Sequence, residues 1–313
     1  MSALAAVSAF ALALTSCGGE DAGSSGSGDG GEELSGDVGV DGSSTVAPLS
    51  SAAAALYAEE QPQVNVTVGT SGTGGGFEKF CNGETDISDA SRPIKDEEIA
   101  ACEANSISYA ELIVANDALT VVVNPAVDFV DCLTVEQLNA IWGPDSTIAN
   151  WSEVDPSFPD LPLDLYGAGT DSGTFDYFTD VINGEEGASR TDYTPSEDDN
   201  TTVQGVVGSD GAMGYFGFTY FEENADSLKA LEIDNGDGCV APSVETAQDG
   251  SYAPLSRPLF IYLSDKAAER PEVTDFVNFY IENIDDIVTE AQYVPLTDEQ
   301  KATLAEEFDA LTG

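Results

Sequence analysis

The sequence predicts an α/β protein with two domains, and three observations support this. The chain has 313 residues, which is room for two ordinary domains. Its hydrophobic content is 42% and its aromatic content is 9%, so it can form folded cores. After residue 36, short apolar segments typical of strands alternate with segments typical of helices. That alternation is characteristic of α/β architecture.

The first 36 residues are predicted to lie outside the folded body. Residues 3–14 form an apolar stretch as long as the core of a secretory leader and too short to span a membrane. They lead into "LTSC", which resembles a bacterial lipobox. The resemblance implies that residues 1–17 are a lipoprotein signal peptide and that Cys17 carries the lipid; the alternative is an uncleaved leader with an ordinary cysteine. Residues 18–36, mostly Gly, Ser and acidic residues, predict a disordered tether.

The elements of the first half are read from local patterns. Strands are predicted at "DVGVDG", "VNVTVGT" and "DISDAS", and helices at "APLSSAAAALYAEE", "GGFEKFCN" and "KDEEIAACEAN". Two further strands, "YAELIVAN" and "ALTVVVN", are separated by little more than Asp117. Because no helix lies between them, we interpret this point as the first crossing between the two domains.

The second half continues the same alternation. A helix at "TVEQLNAIW" is predicted to begin with a capping box of Thr134 and Gln137, and a second helix, "FDYFTDVIN", follows the apolar stretch "LPLDLYGAG". Strands are predicted at "GAMGYFGFTYF" and "SRPLFIYLS", and a last helix at "TDEQKATLAEEFDALTG". A long helix between the last strand and the last helix has a buried stripe at three- and four-residue spacing: Val273, Phe276, Val277, Tyr280, Ile281 and Ile284.

Composition excludes several classes of function. There are 58 acidic residues against nine Lys and Arg, a formal net charge of -49, which argues against nucleic acid or an anionic membrane surface as a partner of the folded body. Contact with a membrane is expected only through the lipid anchor. The chain contains no histidine, the usual general base and the commonest metal ligand. We therefore expect neither an enzyme nor a metal or cofactor site, with calcium at "DNGDG" as a minor alternative.

Four cysteines remain after Cys17: Cys81, Cys102, Cys132 and Cys239. An even number in an exported chain indicates two disulfides, for which three pairings are possible. We favour Cys81 with Cys102, which are close in sequence, and Cys132 with Cys239, which would then close one later domain. A zinc site is not expected, because no CxxC spacing occurs.

Three strand-to-helix junctions combine glycine with small hydroxyl residues. They are "DGSSTVAP" at 41–48, "GTSGTGGGF" at 69–77 and "GTDSGTF" at 169–175. Such junctions expose backbone amides and the positive end of a helix dipole, and both bind anions. The alternative for each junction taken singly is ordinary helix capping. None has the ending of a P-loop, and Ser172 lacks the elbow motif and the histidine of a serine hydrolase.

The order of these motifs resembles one family, the phosphate-binding proteins of phosphate ABC transporters. The matching segments are "GSSTVAP", "GTSGTGGGFEKF", "DISDASRPI", "YGAGTDSGTFDYF", "GYFGFTYF" and "SRPLFIYL", which cover nearly the whole mature chain. The resemblance implies an α/β, two-lobed periplasmic-binding-protein-like (type II) fold with hinge strands that closes on one phosphate. We place the first lobe at residues 37–116 plus 253–313 and the second at 117–252.

The resemblance also implies a set of phosphate ligands. They are Ser44, Thr45 and Val46 in the first loop, Ser71 in the second, and Ser172, Gly173 and Thr174 in the third. This sequence departs from better-known members, which have an arginine at the position of Ala168 and an aspartate at that of Ser91. Other members place an arginine directly after this serine, which implies a role for Arg92; the alternative is a surface arginine paired with a neighbouring acid.

A carboxylate that accepts the proton of phosphate would explain selection against sulfate, which carries none. The nearest candidates are Asp171, which we favour because it lies inside the third loop, and Asp89. Asp199 and Asn200, in "SEDDN", could assist, although that run is better explained as a solvated loop.

The function expected from the resemblance is capture of inorganic phosphate and its delivery to the membrane permease of a phosphate ABC transporter. The protein is expected to be a monomer, exported and lipid-anchored to the outer face of the cytoplasmic membrane, in a periplasm or at the cell surface. Two alternatives stay open. One is an extracellular phosphate sensor that signals through a partner, and the other is a phosphatase, which the lack of histidine disfavours.

Overall fold

A computed structural model of the protein describes residues 34–170 and 172–313. The predicted signal peptide, Cys17, residues 18–33 of the predicted tether and Asp171 lie outside the described residues. Within the described ranges, no helix is both long enough and apolar enough to cross a membrane.

The described residues form twelve strands and thirteen α-helices. The strands are β1 (Gly36–Gly42), β2 (Val64–Gly69), β3 (Ile87–Ala90), β4 (Tyr109–Val123), β5 (Cys132–Thr134), β6 (Asp164–Ala168), β7 (Thr194–Ser196), β8 (Ala212–Gly217), β9 (Lys229–Ala230), β10 (Glu232–Asp234), β11 (Cys239–Val240) and β12 (Ser256–Ser264). The helices are α1 (Ala47–Glu60), α2 (Gly72–Cys81), α3 (Asp96–Ala104), α4 (Val135–Trp142), α5 (Trp151–Val154), α6 (Gly173–Phe178), α7 (Asp199–Gly208), α8 (Phe218–Asn224), α9 (Val244–Gln248), α10 (Asp265–Ala268), α11 (Pro271–Glu282), α12 (Ile284–Glu290) and α13 (Asp298–Thr312). A π-helical segment, Thr179–Asn183, continues α6.

Nine of the strands form one mixed sheet. Its order is β2-β1-β3-β12-β4-β8-β6-β7, and β9 pairs with Val122 and Val123 of β4 on the edge opposite β8. Strands β1, β2 and β3 run parallel to one another, and so do β6, β7 and β8. Strand β12 is antiparallel to both β3 and β4, and β4 is antiparallel to β8. The two parallel groups are therefore joined through antiparallel β12 and β4.

Strand β4 is continuous through Asp117, so the prediction of two separate strands at "YAELIVAN" and "ALTVVVN" was wrong. The first part of β4 pairs with β12 and the last part, from Leu119 to Val123, pairs with β8. A charged residue can lie inside this buried strand because Arg257 of β12 is directly opposite Asp117 in the register. This ion pair allows the strand to continue at the point where the local sequence predicted a break.

Two large hydrophobic cores lie along the sheet. The first draws its residues from 38–115 and 259–308, and the second from 119–255. Strand β4 contributes to both, with Val114 and Ala115 in the first core and Leu119 and Val121 in the second. Leu34 packs against the first core and Gly36 already pairs with Val64, so β1 begins at the last residue of the predicted tether.

Both predicted disulfides are confirmed. Cys81 at the end of α2 bonds to Cys102 in α3, and Cys132 of β5 bonds to Cys239 of β11. The second bond closes a span of 107 residues and links the two outer strands of a small sheet ordered β11-β10-β5. The first bond therefore joins two helices, and the second joins the two edge strands across β10.

Three further expectations needed correction. "GAMGYFGFTYF" is a strand only to Gly217, after which the chain turns into α8. The stripe from Val273 onward is split, because α11 ends at Glu282 and Ile284 opens α12; Ile281 is only partly buried. Ordinary helix capping, the alternative given for the first junction, does not occur at α1, whose N-cap is Val46 without a side-chain capping bond. By contrast, the capping box of Thr134 and Gln137 is confirmed.

Candidate functional site

The three glycine-hydroxyl junctions follow β1, β2 and β6 at the carboxyl ends of parallel strands. In α/β sheets this edge is where ligands usually bind, because helix N-termini and strand-end loops meet there. Residues from all three junctions line one open cavity of about 750 Å³. The lining residues from the predicted set are Ser44, Thr45, Ser71, Arg92 and Gly173.

The first junction forms a tight turn around Ser43. The Ser43 amide donates to the Asp89 carbonyl at 2.9 Å, which fixes this turn to the end of β3. The Ser43 hydroxyl then accepts from the Thr45 amide at 3.2 Å, and the Ser43 carbonyl accepts from the Val46 amide at 3.2 Å. The amide of Val46, a predicted ligand, is thus part of the turn, and its side chain is fully buried.

The second junction places Ser71 beside a partly exposed ion pair. Its hydroxyl and its amide both donate to Asp41 at the end of β1, the amide at 3.1 Å. Lys79 donates to the other oxygen of Asp41 at 2.6 Å. Burial alone would raise the pKa of Asp41, but the hydrogen bonds from Lys79 and Ser71 outweigh it and lower the pKa below its ordinary value. Ser71 is therefore held on the cavity wall by an ionised carboxylate.

Only part of the third junction lines the cavity. Ser172 is the N-cap of α6, and its hydroxyl accepts from the Thr174 amide at 3.1 Å, which is the capping arrangement. Gly173 lines the cavity and packs so closely on the first loop that a Cβ there would lie 2.6 Å from the Thr45 hydroxyl. Thr174 lines a second, smaller cavity of about 170 Å³ together with Asp117 and Asp199.

Arg92 lines the cavity and is also bound to a neighbouring acid. Its two terminal nitrogens each donate to one oxygen of Glu98 at 2.8 Å, and one of them also donates to the Pro93 carbonyl. The bidentate bond raises the pKa of Arg92. Arg92 therefore has the acidic partner that the alternative interpretation predicted, and it also lines the cavity, while its role as a phosphate ligand stays a prediction.

Arg257, which the sequence-based set did not include, is the most highly connected cation of the cavity. Its terminal nitrogens donate to the Thr45 hydroxyl at 3.1 Å and to the Ser91 carbonyl at 3.3 Å, while Nε donates to Asp117 at 3.2 Å. The guanidinium carbon lies 3.5 Å from the centre of the Tyr177 ring, a cation–π contact. Arg257 therefore touches the first loop, the end of β3, strand β4 and helix α6.

The carboxylate that pairs with Arg257 is almost completely buried. Only 7% of the Asp117 side chain is exposed, against 16% for Arg257. Burial raises the pKa of Asp117, and the charge of Arg257 opposes that shift. A buried carboxylate without a partner is energetically costly, so Arg257 stabilises the charge of Asp117. Asp117 in turn fixes the position of Arg257.

Carboxylates also line the cavity. Asp176, Asp180 and Glu186, from α6 and the segment that follows it, all border the cavity. Burial and the nearby charge of Glu186 raise the pKa of Asp176. Asp89 is not among them: its side chain is fully buried and its carboxylate accepts from the Ser50 hydroxyl at 2.8 Å.

The "SEDDN" run is a helix start. Asp198 caps α7 and Asp199 is its first residue, lining the smaller cavity with Thr174. Burial and the neighbouring charges of Asp198 and Glu197 raise the pKa of Asp199 to about 6. Asn200 is exposed, with its amide donating to Asp198 at 3.0 Å.

Comparison with known proteins places the chain in a family. A family model described as the PBP superfamily domain matches residues 27–283. The chain belongs to the PBP superfamily. The α/β, two-lobed fold class expected from the sequence is that of this superfamily and is confirmed.

Individual relatives are similar over most of their length. A protein named SphX from Synechocystis is 49% identical over 263 residues, which cover 83% of this chain and 78% of that protein. The phosphate-binding protein PstS of Staphylococcus saprophyticus is 38% identical over 275 residues, 87% of this chain and 84% of that one. A crystal structure of a possible phosphate binding protein from Planctomyces limnophilus is 49% identical with a TM-score of 0.86, covering 90% of this chain and all of that chain.

In the described part of this PBP superfamily chain, one group of potential metal ligands lies close together: Cys132, Cys239 and Glu232. Its two cysteines are bonded to each other as a disulfide, so they cannot act as thiolates.

Arg257 was missed because its sequence context is that of a strand. It lies in "SRPLFIYLS", which we interpreted only as an element of the sheet. The signal that could have found it is its rarity: Arg257 is one of four arginines in a chain with 58 acidic residues, and it is the second residue of a strand whose other residues are mostly apolar. A buried partner such as Asp117, 140 positions earlier, cannot be identified from local pattern.

Proposed function

We propose that this protein binds inorganic phosphate in the 750 Å³ cavity and delivers it to the permease of a phosphate ABC transporter. The observation that carries the proposal is the convergence of Thr45, Ser71 and the start of α6 with two arginines on one cavity. Hydroxyl donors, a helix N-terminus and guanidinium groups are the chemistry that a tetrahedral oxyanion requires. The named relative PstS of Staphylococcus saprophyticus, a phosphate-binding protein, supports the same ligand.

In this proposal the predicted ligands have different roles. Thr45, Ser71 and Gly173 lie on the cavity with Ser44 beside them, and Arg257 and Arg92 supply the positive charge. Ser172 and Thr174 form the capped end of α6, so we assign them to the orientation of its dipole. The amide of Val46 holds the first turn.

Selection for phosphate over sulfate requires a proton acceptor near the site. Asp171 remains our sequence-based candidate. Asp176 offers a second one, since it lines the cavity and lies near enough to Arg257 for the two charges to interact. A phosphate proton would satisfy either carboxylate, whereas sulfate would leave it facing a negative oxygen.

The export and anchoring of the protein are part of the proposal. The signal peptide and Cys17 would place the chain, as a monomer, on the outer face of the cytoplasmic membrane, where it would meet a permease. A phosphate sensor of the same fold would bind the same ligand, and an operon that encodes a permease next to the gene would favour transport. A phosphatase would require turnover of a phosphate ester; superfamily membership indicates binding of a solute and leaves catalysis open.

Calorimetric titration with phosphate tests the binding function directly. The wild-type protein is expected to bind one phosphate per chain, and the variant Arg92→Ala about tenfold more weakly, because one charge-assisted contact is lost while Arg257 remains. Arg190→Ala alters an arginine outside the lining of this cavity and serves as the control. An unchanged affinity in Arg92→Ala removes Arg92 from the site, and no heat of binding in the wild type contradicts the function itself.

The close approach of Gly173 to the first loop gives a second prediction. In Gly173→Ala the new methyl group would lie 2.6 Å from the Thr45 hydroxyl and 3.1 Å from the Thr45 amide, so loop and helix must move apart. We expect phosphate affinity to fall about tenfold, because the donors lose their alignment. Gly208→Ala, at a helical position with open space around it, is the matched control. Equal affinities in the two variants would show that the contact between Gly173 and Thr45 does not shape the site.

A further inference from the structure

Most of the positively charged side chains of this protein form ion pairs with acidic side chains of the same chain. All nine Lys and Arg residues lie in the described ranges. Seven form ion pairs: Lys79 with Asp41, Arg92 with Glu98, Arg190 with Asp192, Lys229 with Asp131, Arg257 with Asp117, Arg270 with Asp86 and Lys301 with Asp285. An eighth, Lys266, donates to the Asn105 carbonyl at 3.2 Å. The ninth is Lys95, whose ammonium forms no ion pair or hydrogen bond with any described residue.

Lys95 stands on the rim of the cavity. It lines the same space as the phosphate loops, is exposed, and lies three positions after Arg92 at the N-terminus of α3. Glu98 is near enough to interact with its charge, but that carboxylate is already held by both terminal nitrogens of Arg92. The Lys95 side chain is therefore free to act on an approaching ion.

The surroundings of Lys95 make its single charge significant. The next residues, Asp96 and Glu97, are acidic, and Asp176, Asp180 and Glu186 line the same cavity without an ion pair among the described residues. A paired cation and anion cancel at a distance, so the field at the entrance is set by the unpaired charges. Of these Lys95 is the one positive member on the lining, since Arg92 and Arg257 are paired.

We infer that Lys95 draws the phosphate anion into the cleft, acting on the rate of association and not on the closed complex. The inference rests on the proposed function and adds to it a residue that offsets the repulsion between a phosphate dianion and a chain of net charge -49. A charge on the rim of a site typically changes the association rate and its salt dependence, while contacts inside the site set the dissociation rate.

The experiment compares Lys95→Gln with Lys266→Gln, which removes the same charge from an exposed lysine outside the cavity lining. Phosphate dissociation constants are measured by calorimetry at about 20 mM and about 0.5 M salt, where the screening length shrinks to about 4 Å. At low salt we expect the dissociation constant of Lys95→Gln to rise about fivefold and that of Lys266→Gln to stay near wild type. At high salt the difference should disappear.

Stopped-flow measurement of the intrinsic emission separates the two rates, since Tyr177 lines the cavity. The expected result is a slower association and an unchanged dissociation for Lys95→Gln. A defect that persists at high salt, or a faster dissociation, would make Lys95 a direct ligand or a clamp and overturn the steering role. Equal dissociation constants for the two variants at low salt would also overturn it. Failure of the proposed function looks different, because then the wild-type protein itself would bind no phosphate.

Discussion

Replacement of Arg257 by glutamine is expected to weaken phosphate binding about 100-fold and to destabilise the protein at the same time. The affinity loss corresponds to about 2.7 kcal/mol, the range for a charge-assisted contact inside a partly buried site. It exceeds the loss expected for Arg92→Ala because Arg257 also holds Thr45 and the Ser91 carbonyl in position, at 3.1 and 3.3 Å. One side chain thus aligns two of the loops that form the site.

The loss of stability has a separate cause. Without Arg257, the carboxylate of Asp117 would remain in strand β4 with 7% of its side chain exposed and no cation beside it. Removal of one partner from a buried ion pair costs about 3–5 kcal/mol. Asp117 would take up a proton more readily, since burial already raises its pKa and Arg257 is the main group that opposes that shift, with a smaller contribution from the backbone of Ala118.

Two further variants separate these effects. Arg257→Gln combined with Asp117→Asn removes both charges, so unfolding in urea should return toward the wild-type midpoint while phosphate affinity stays low. Arg257→Lys keeps the charge but loses the planar fork, and we expect an intermediate affinity. If the double variant recovered phosphate binding, Arg257 would be a structural residue and not a ligand.

Local pattern predicted the strand-to-helix loops that line the cavity because the signals for such loops are local. A strand, a Gly-Ser-Thr turn and a helix occupy about ten consecutive residues, and parallel strands bring such turns to one edge of a sheet. The junctions after β1 and β2 therefore reached the cavity together, with Ser44, Thr45 and Ser71 on its lining. Their exact hydrogen bonds depend on Asp41 and Asp89, which lie on other strands.

What local pattern could not show are the long-range pairs. Asp117 seemed to interrupt a strand, and its partner Arg257 seemed an ordinary strand residue, because 140 positions separate them. The helical conformation after Gly217 is a similar case: "FTYF" favours a strand by composition, yet only Phe218 of α8 is buried. Tertiary contacts decide such segments, and they become visible only when the sheet is assembled.

The buried carboxyl group of Asp89 gives the other large expected effect, an increase in stability when its charge is removed. Asp89 lies on β3 with its side chain fully buried, and its one described partner is the Ser50 hydroxyl; the second oxygen has none among the described residues. Burial raises its pKa to about 7, the Ser50 bond opposes this, and repulsion from Asp41 adds to it. The folded state therefore retains a proton that the unfolded chain releases near pH 3.9.

The sign of the pH dependence follows from this difference. Below about pH 4 the carboxyl is neutral in both states and costs nothing. Between about pH 4 and pH 7 the unfolded state alone is ionised, so the free energy of unfolding falls as the pH rises, and above about pH 7 the full cost of about 4 kcal/mol is reached. Asp89→Asn keeps an acceptor for Ser50 and cannot ionise, so it should lack this fall.

Urea unfolding at about pH 4.5 and about pH 8 measures the effect. We expect Asp89→Asn to be close to wild type at the lower pH and more stable by about 2–4 kcal/mol at the higher one. Asp96→Asn, the same change at an exposed position, controls for the general dependence of so acidic a chain on pH. A difference between Asp89→Asn and wild type that does not grow with pH would mean that Asp89 stays ionised in the folded protein. Its charge would then have to be compensated by a group other than Ser50, and the end of β3, which anchors the Ser43 turn, would have to be described differently.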